Sequence, residues 1–275
     1  MPTSSDLVSL AGLKSWLDVT GTDDDILLAQ LISQLSRAIL NVLDRPAILP
    51  QDYSDIVDGG NAASIVLRHW PVIEVTSCTV DGKTIPAAEA IAGHSSAQPG
   101  YVLDSAGAAP PGGMQRLSLR GSLFASGIQN VKVSYRAGYQ VTNEAATVPL
   151  TPPYTINALS PYGGWASGGG VTYANGGSLA AVPGNPASGQ YAVANGSYSF
   201  ASQDAGASVL LTYGYIPADL ASCCLDWAAE RYAYRSRIGQ SSKSLGGHET
   251  ISFIVKDIPD FAARILSPYR RVVLP

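Results

Sequence analysis

The spacing of apolar residues predicts helices near the start of the chain. Leucines recur on one helical face over residues 6–17, which indicates a short first helix. A second helix is predicted to begin at Thr22, with Asp25 three residues later as a capping-box-like pair. Apolar residues then recur at helical spacing to about Leu43. Pro46 blocks continuation, so the sequence predicts two helices before residue 46.

Helical spacing returns in the last quarter of the chain. Pro217 suits a first helical position, and the apolar face continues to about Arg237. Residues 238–247 are rich in Ser and Gly and are predicted to form a flexible loop. A short strand is predicted at Thr250–Val255, and a last helix between Pro259 and Pro268.

Between these helical ends the pattern favours strands. Ile73–Val80 runs into Asp81-Gly82, a two-residue hairpin signal. Val131, Val133 and Tyr135 share one face of a predicted strand. The small, polar stretch Ala87–Gly113 predicts a long loop with a short strand near Tyr101.

Residues 150–215 differ from both flanks in composition. They are rich in Gly and Tyr, and Asp204 is their single charged residue. Closely spaced short apolar runs with turn signals predict a small antiparallel sandwich or barrel. The strand candidates are Tyr154–Leu159, Val171–Ala174, Gln190–Val193, Ser197–Phe200 and Ser208–Tyr213. The fold class expected is therefore α+β, a small helical bundle with a β-rich element plus an inserted all-β module.

Charge and cysteine content narrow the function classes. Net charge is −4 over 275 residues, with no basic run, so sequence-specific DNA binding is not expected. Contact with DNA passing through a channel is compatible with this charge. Neither a signal peptide nor a membrane-spanning stretch is expected. Cys78, Cys223 and Cys224 do not suggest a disulfide framework, which favours a reducing cytoplasm.

Candidate chemistry is sparse. The sequence has no Gly-x-Ser-x-Gly, phosphate-loop or His-Glu-x-x-His motif, so no catalytic, cofactor or metal site is expected. Asp52, Asp55 and Asp58 are interpreted as a solvated strand edge rather than a calcium site. His69 is interpreted as structural. The cysteines are interpreted as buried filler.

Two other readings concern the 150–215 region. A polysaccharide depolymerase needs paired carboxylates, and Asp204 is alone there. A carbohydrate-binding surface would use aromatic residues, although aromatics in a small sandwich more often lie in its core. Its candidates are Tyr162, Trp165, Tyr173 and Tyr191.

Seven short segments, in this order, resemble phage head–tail connector proteins, the adaptor or head-completion family of tailed phages. They cover parts of residues 6–149 and 216–273. The segments are Leu43-Asp44-Arg45-Pro46, Ile56-Val57-Asp58-Gly59-Gly60, Leu67-Arg68-His69-Trp70-Pro71-Val72, Val80-Asp81-Gly82, Val131 to Tyr139, Ile216-Pro217-Ala218-Asp219-Leu220 and Pro268-Tyr269-Arg270-Arg271-Val272.

The resemblance implies a structural protein of the virion neck without catalytic residues or cofactor. It would form a homo-oligomeric, dodecameric ring that docks on the portal protein and receives the tail through a terminator, completion or stopper protein. The adaptor core would comprise residues 1–149 and 216–275, with residues 150–215 as the inserted module. Assembly would take place in the host cytoplasm. A tail or baseplate location is the alternative.

The C-terminal segment is expected to carry portal attachment. A strand and a helix of two turns cannot bury themselves alone, so they need a partner surface. The alternative is that this segment packs back onto its own bundle. The predicted docking residues are Ile251, Phe253, Val255, Phe261, Ile265, Leu266, Tyr269, Arg270 and Arg271.

Overall fold

The chain has a mixed α+β structure, as expected. The computed structural model describes residues 6–88, 98–105, 107, 109–235, 242–245, 249–252 and 258–271. Its contacts divide the chain into two units. The helical unit comprises residues 1–46 and 218–270, and the β unit comprises residues 47–217 with residues 271–275. The β unit therefore interrupts the helical unit in the sequence.

The helical unit brings together the predicted helices of both chain ends. Its α-helices, within the described residues, are α1 (Leu10–Leu17), α2 (Asp25–Leu43), α3 (Ala218–Tyr234) and α4 (Asp260–Leu266). The first helix starts four residues later than the leucine spacing suggests. Ser9 occupies the N-cap there, and its hydroxyl accepts the Gly12 amide at 3.1 Å.

The predicted N-cap at Thr22 is wrong. Helix α2 begins at Asp25, and Asp24 occupies the N-cap position without a capping hydrogen bond. The Asp24 carboxylate instead accepts hydrogen bonds from Tyr232 and Arg235. A tertiary contact to α3 thus replaces the local capping box.

Helix α2 is the described helix that has the length and apolar composition of a membrane span. No such stretch was expected from the sequence. Core helices of soluble proteins meet the same criterion, and this one carries a buried face. Its buried residues are Leu28, Ile32, Leu35, Ser36, Ile39, Leu40 and Leu43.

Two antiparallel sheets form the first half of the β unit. One has the strand order β1-β7-β3-β4 and the other β2-β6-β5. The predicted Asp81-Gly82 hairpin is confirmed, with φ of 49° and 75° at its two turn residues. The strands are β1 (Gln51–Gly59), β2 (Ser64–Val66), β3 (Val72–Val80), β4 (Lys83–Ile85), β5 (Gly100–Leu103), β6 (Arg116–Arg120) and β7 (Gly127–Ala137).

Val131, Val133 and Tyr135 are buried in one core with residues from both sheets. The face predicted for β7 is therefore confirmed. The strand predicted near Tyr101 is β5. Most of the predicted loop before it, residues 89–97, lies outside the described residues.

Two further sheets form the second half of the β unit and share a second core. Their orders are β10-β14-β8 and β11-β12-β13-β9. All five strand candidates in the 150–215 region correspond to strands. The strands are β8 (Gln140–Thr147), β9 (Thr155–Asn157), β10 (Gly163–Tyr173), β11 (Ala180–Ala181), β12 (Gln190–Ala194), β13 (Ser197–Phe200) and β14 (Ser208–Pro217).

Strand β8 was not predicted. It pairs with β14 from Gln140 to Thr147, and Val148 beside it is buried in the same core as Tyr198 and Tyr213. The sandwich-like half of the β unit therefore includes residues that precede position 150.

The segment before α4 contains a hairpin. Strand β15 (Ser242–Leu245) pairs antiparallel with β16 (Glu249–Ser252). The prediction of a flexible loop is wrong for Ser242–Leu245, because the pairing partner of this segment lies beyond the Ser/Gly-rich window. The strand predicted at Thr250–Val255 is confirmed as far as Ser252, and residues 253–257 lie outside the described residues.

Candidate interaction site

The predicted docking residues fall into three groups. Phe253 and Val255 lie outside the described residues, and Ile251 lies on β16. On α4, on the 3₁₀ turn that follows it (Ser267–Tyr269) and at the two residues after this turn, two docking residues are buried and the others are exposed or partly exposed. The buried pair is Leu266 and Tyr269; the others are Phe261, Ile265, Arg270 and Arg271.

Tyr269 is bound to the helical unit through both its side chain and its backbone. Its hydroxyl donates to the Asp219 carboxylate, with Oδ1 at 2.6 Å and Oδ2 at 2.7 Å. Its carbonyl accepts the Arg45 Nε–H at 2.8 Å. Its side chain is 1% exposed. Leu266 and Tyr269 therefore pack onto the chain's own helices, whereas docking by the remaining residues stays a prediction.

A second polar cluster joins α3 to the start of α2. Arg235 Nη1 lies 2.8 Å from Asp24 Oδ1, and the Arg235 guanidinium lies over the Tyr232 ring at 4.4 Å. The hydrogen bonds from Arg235 and then from Tyr232 lower the pKa of Asp24 below its ordinary value. The sequence gives no signal for this cluster, because Asp24 is 208 positions from Tyr232 and 211 positions from Arg235.

The three cysteines are buried thiols, as predicted. Burial raises the pKa of Cys223 to about 12 and that of Cys78 to about 11. Burial also raises the pKa of Cys224 to about 11, against a hydrogen bond with Ser36 that lowers it. Thiols that stay protonated are weak nucleophiles and metal ligands, so they act as packing groups.

Asp204 organises a loop of the sandwich. Its carboxylate accepts hydrogen bonds from the Tyr173 hydroxyl at 2.9 Å, the Ser188 hydroxyl at 3.0 Å and the Gly189 amide at 3.2 Å. Its side chain is buried. This carboxylate is therefore used within the fold, and the depolymerase reading has no carboxylate pair in residues 150–215.

The four aromatic residues of the carbohydrate reading have separate structural roles. Tyr191 is buried, and Tyr173 binds Asp204. Trp165 Nε1 donates to the Tyr198 hydroxyl at 3.0 Å. The Tyr162 ring lies 6.1 Å from that of Tyr215. These residues do not form one exposed aromatic platform.

The solvated-edge interpretation is wrong for Asp55. Its carboxylate is buried and accepts the Tyr135 hydroxyl at 2.8 Å and the Arg68 amide at 3.2 Å. Asp52 instead pairs with Arg136 at the surface. Within the described residues, no three His, Cys, Asp or Glu side chains are placed to hold a metal.

His69 packs against an aromatic ring. The His69 ring stacks on that of Tyr53, with ring centroids 3.8 Å apart. The backbone amide of His69 donates to the Tyr135 hydroxyl at 3.1 Å. These contacts agree with the structural interpretation of His69, and His94 and His248 lie outside the described residues.

Comparison with known proteins gives weak structural likenesses. No family model and no curated protein matches the chain. One similar solved chain comes from the neck of an empty gene transfer agent particle computed with C6 symmetry, at 13% identity and a TM-score of 0.41, covering 98% of this chain and 92% of that one. Another comes from the virion of a native gene transfer agent particle, at 12% identity and a TM-score of 0.42, covering 100% and 94%. At these values the likeness assigns neither a family nor a function.

Two features of the helical unit were not found from the sequence. One is the pair of contacts from Arg45 and Asp219 to Tyr269. The other is the exposure of Trp16 and Ile26, two large apolar side chains close to the turn that joins α1 to α2. The leucine spacing predicts which face of each helix is buried, but it does not predict that Trp16 and Ile26 are exposed to solvent.

Proposed function

We propose that the chain is a structural virion protein of the phage neck, a ring-forming adaptor that joins the portal of the DNA-filled head to the tail. The observation that carries this proposal is the arrangement of the family-like segments. Arg45-Pro46 follows α2, and Ala218 begins α3 directly after β14. Helices from the start and from the last quarter of the chain thus form one unit, and a β-rich unit separates them in sequence, which supports the proposal.

Portal attachment is proposed for the hairpin β15–β16 and for the residues that follow Tyr269. The hairpin strands pair with each other, and neither joins another sheet in the described part of the chain. An isolated two-stranded hairpin is marginally stable in water, and a partner surface would stabilise it. Arg270, which is exposed and directly follows Tyr269, offers a cation to the same partner.

The other partners follow from the same proposal. Copies of the chain would close into a dodecameric ring through one repeated heterologous interface. The sandwich-like region would lie on the outside of the ring, where it is dispensable for joining head to tail. Because each chain has a net charge of −4, the ring would be acidic and would let DNA pass without holding its phosphates.

A binding assay with purified portal rings tests the proposal. The full chain should bind the portal, and a chain ending at Tyr269 should fold normally but bind at least about tenfold more weakly, a loss of about 1.4 kcal/mol. Replacement of residues 140–217, from β8 to β14, by a Gly/Ser bridge removes these paired strands together with their shared core; it is the matched control and should keep portal binding. Equal binding by the full chain and by the chain ending at Tyr269 would argue against attachment through the residues that follow Tyr269.

A further inference from the structure

The chain passes between the helical unit and the β unit at three crossings. It enters the β unit after Pro46, returns after Pro217 and leaves the helical unit again after Arg270. The first crossing comes soon after α2 ends at Leu43, and α3 begins at Ala218 directly after β14. Units joined by such connections move against each other by default, and hinges are commonly a few residues at the ends of elements.

One cluster within the helical unit adjoins all three crossings. Its members are Arg45, Asp219 and Tyr269, each within two residues of a crossing. The Tyr269 hydroxyl donates to the Asp219 carboxylate, with its two oxygens at 2.6 Å and 2.7 Å. The Arg45 Nε–H donates to the Tyr269 carbonyl at 2.8 Å. We call these three residues the clasp.

The centre of the clasp is shielded from water. Tyr269 is buried, and Arg45 is also buried. Hydrogen bonds to charged groups are stronger than those between neutral groups, and burial limits competition from water. Tyr269 therefore holds the residue that precedes the first crossing and a residue that follows the second one.

Tyr269 is the member of the clasp that can be withdrawn. Asp219 lies in the first turn of α3, which has 17 residues, and Arg45 follows α2, which has 19. Tyr269 lies in a 3₁₀ turn of three residues that follows a helix of seven. Local opening is easiest in short elements near a chain terminus. The turn that carries Tyr269 is therefore the part of the clasp that opens.

We propose that the clasp limits how far the β unit moves against the helical unit, and that the turn carrying Tyr269 sets this limit. While the clasp is closed, Tyr269 ties the first two connections to one buried side chain. Once Tyr269 is withdrawn, the backbone angles of each connection can change, which is how hinge residues permit domain motion. A partner that pulls on the residues after Tyr269 would thus give the β unit more freedom.

Distances between one spin label in each unit measure this motion. The labelled sites are Gln34→Cys and Gln203→Cys, both at exposed positions, and the natural cysteines are buried. Tyr269→Phe keeps the aromatic ring but removes the hydrogen bond to Asp219. The distance distribution should broaden. The share of molecules outside the distance range of the natural chain should rise about tenfold, as expected for the loss of one hydrogen bond to a charged group.

Tyr232→Phe is the matched control. It also removes a hydrogen bond from a tyrosine to an aspartate, in this case Asp24, but neither residue adjoins a crossing. Its distance distribution should equal that of the natural chain. Asp219→Asn keeps an acceptor for Tyr269 and should broaden the distribution less than Asp219→Ala does. These two variants carry the same comparison should Tyr269→Phe fail to fold.

An unchanged distribution in Tyr269→Phe and Asp219→Ala would overturn the proposal. Equal broadening in Tyr232→Phe would do so as well, since the loss of any contact in the helical unit would then be sufficient. A location outside the neck would refute the adaptor function and leave this result intact.

Discussion

Several carboxylates in this protein accept hydrogen bonds from particular distant partners. Asp55 is bound by Tyr135, and Asp219 by Tyr269. The sequence indicates the residue types but not these pairs, since a buried hydrogen bond links positions that only the fold brings together. Asp204 shows this most clearly. From the sequence it is only the single carboxylate of residues 150–215, whereas in the structure it organises a loop through three hydrogen bonds.

Replacement of Asp204 tests this role. Asp204→Ala leaves the Tyr173 hydroxyl and the Gly189 amide without their acceptor, so the free energy of unfolding should fall by about 2 kcal/mol. Urea denaturation measures the change. Gln203→Ala, at an exposed neighbouring position, is the control and should have little effect. Similar losses in the two variants would contradict the assigned role.

The cysteines should be unreactive in the folded protein. Because burial raises the pKa of Cys223 to about 12, and those of Cys78 and Cys224 to about 11, their thiols stay protonated and inaccessible at pH 8. A thiol reagent should label them slowly in buffer and completely in denaturant. Rapid labelling of the native chain would show that at least one of these sites opens easily.

At the level of elements, the sequence predicted the helices and strands that local patterns mark, and it missed those that depend on distant partners. Short apolar runs bounded by turn signals located β12 and β13, and the Asp-Gly turn located the β3–β4 hairpin. The start of α2 was missed because contacts with α3 outcompeted a local cap. Strand β15 was missed because its partner strand, rather than its own composition, makes it a strand.

The contact between α2 and α3 should depend on pH. Hydrogen bonds to Arg235 and Tyr232 lower the pKa of Asp24 below its ordinary value of 3.8. A lowered pKa in the folded state means that the contact stabilises the protein above pH 3.8 and is lost as pH falls through the lowered value. Asp24→Asn should therefore lower Tm at pH 7, and the difference from the natural chain should shrink in acid.

Asp23→Asn provides the comparison for this measurement. Asp23 is exposed and takes no part in the ion pairs found among the described residues. Its replacement should change Tm little at either pH. A difference between Asp24→Asn and the natural chain that persists unchanged to pH 2 would show that the charge of Asp24 is not what stabilises the contact.

For the whole molecule, the helical unit depends on both ends of the chain. Helices α1 and α2 come from the start, whereas α3, α4 and the 3₁₀ turn come from the last quarter. The sequence predicted these helices singly. It did not predict that Arg45 and Asp219 hold Tyr269, and so it could not tell whether the C-terminal segment packs on its own bundle.

Two truncations test how much α4 and Tyr269 contribute to the stability of the helical unit. A chain ending at Ser244 loses α4 with Leu266 and Tyr269, so the free energy of unfolding should fall by about 3 kcal/mol or more. A chain ending at Tyr269 keeps these contacts and should unfold at nearly the natural temperature. Calorimetry compares the two. Equal stability of both would mean that α4 contributes little to the helical unit.

Electron microscopy of phage particles labelled on this chain tests the central claim most directly. The adaptor function predicts a ring of labelled copies at the neck, between the portal and the tail. Label on the tail tube or the baseplate, or a single copy at the neck, would contradict it.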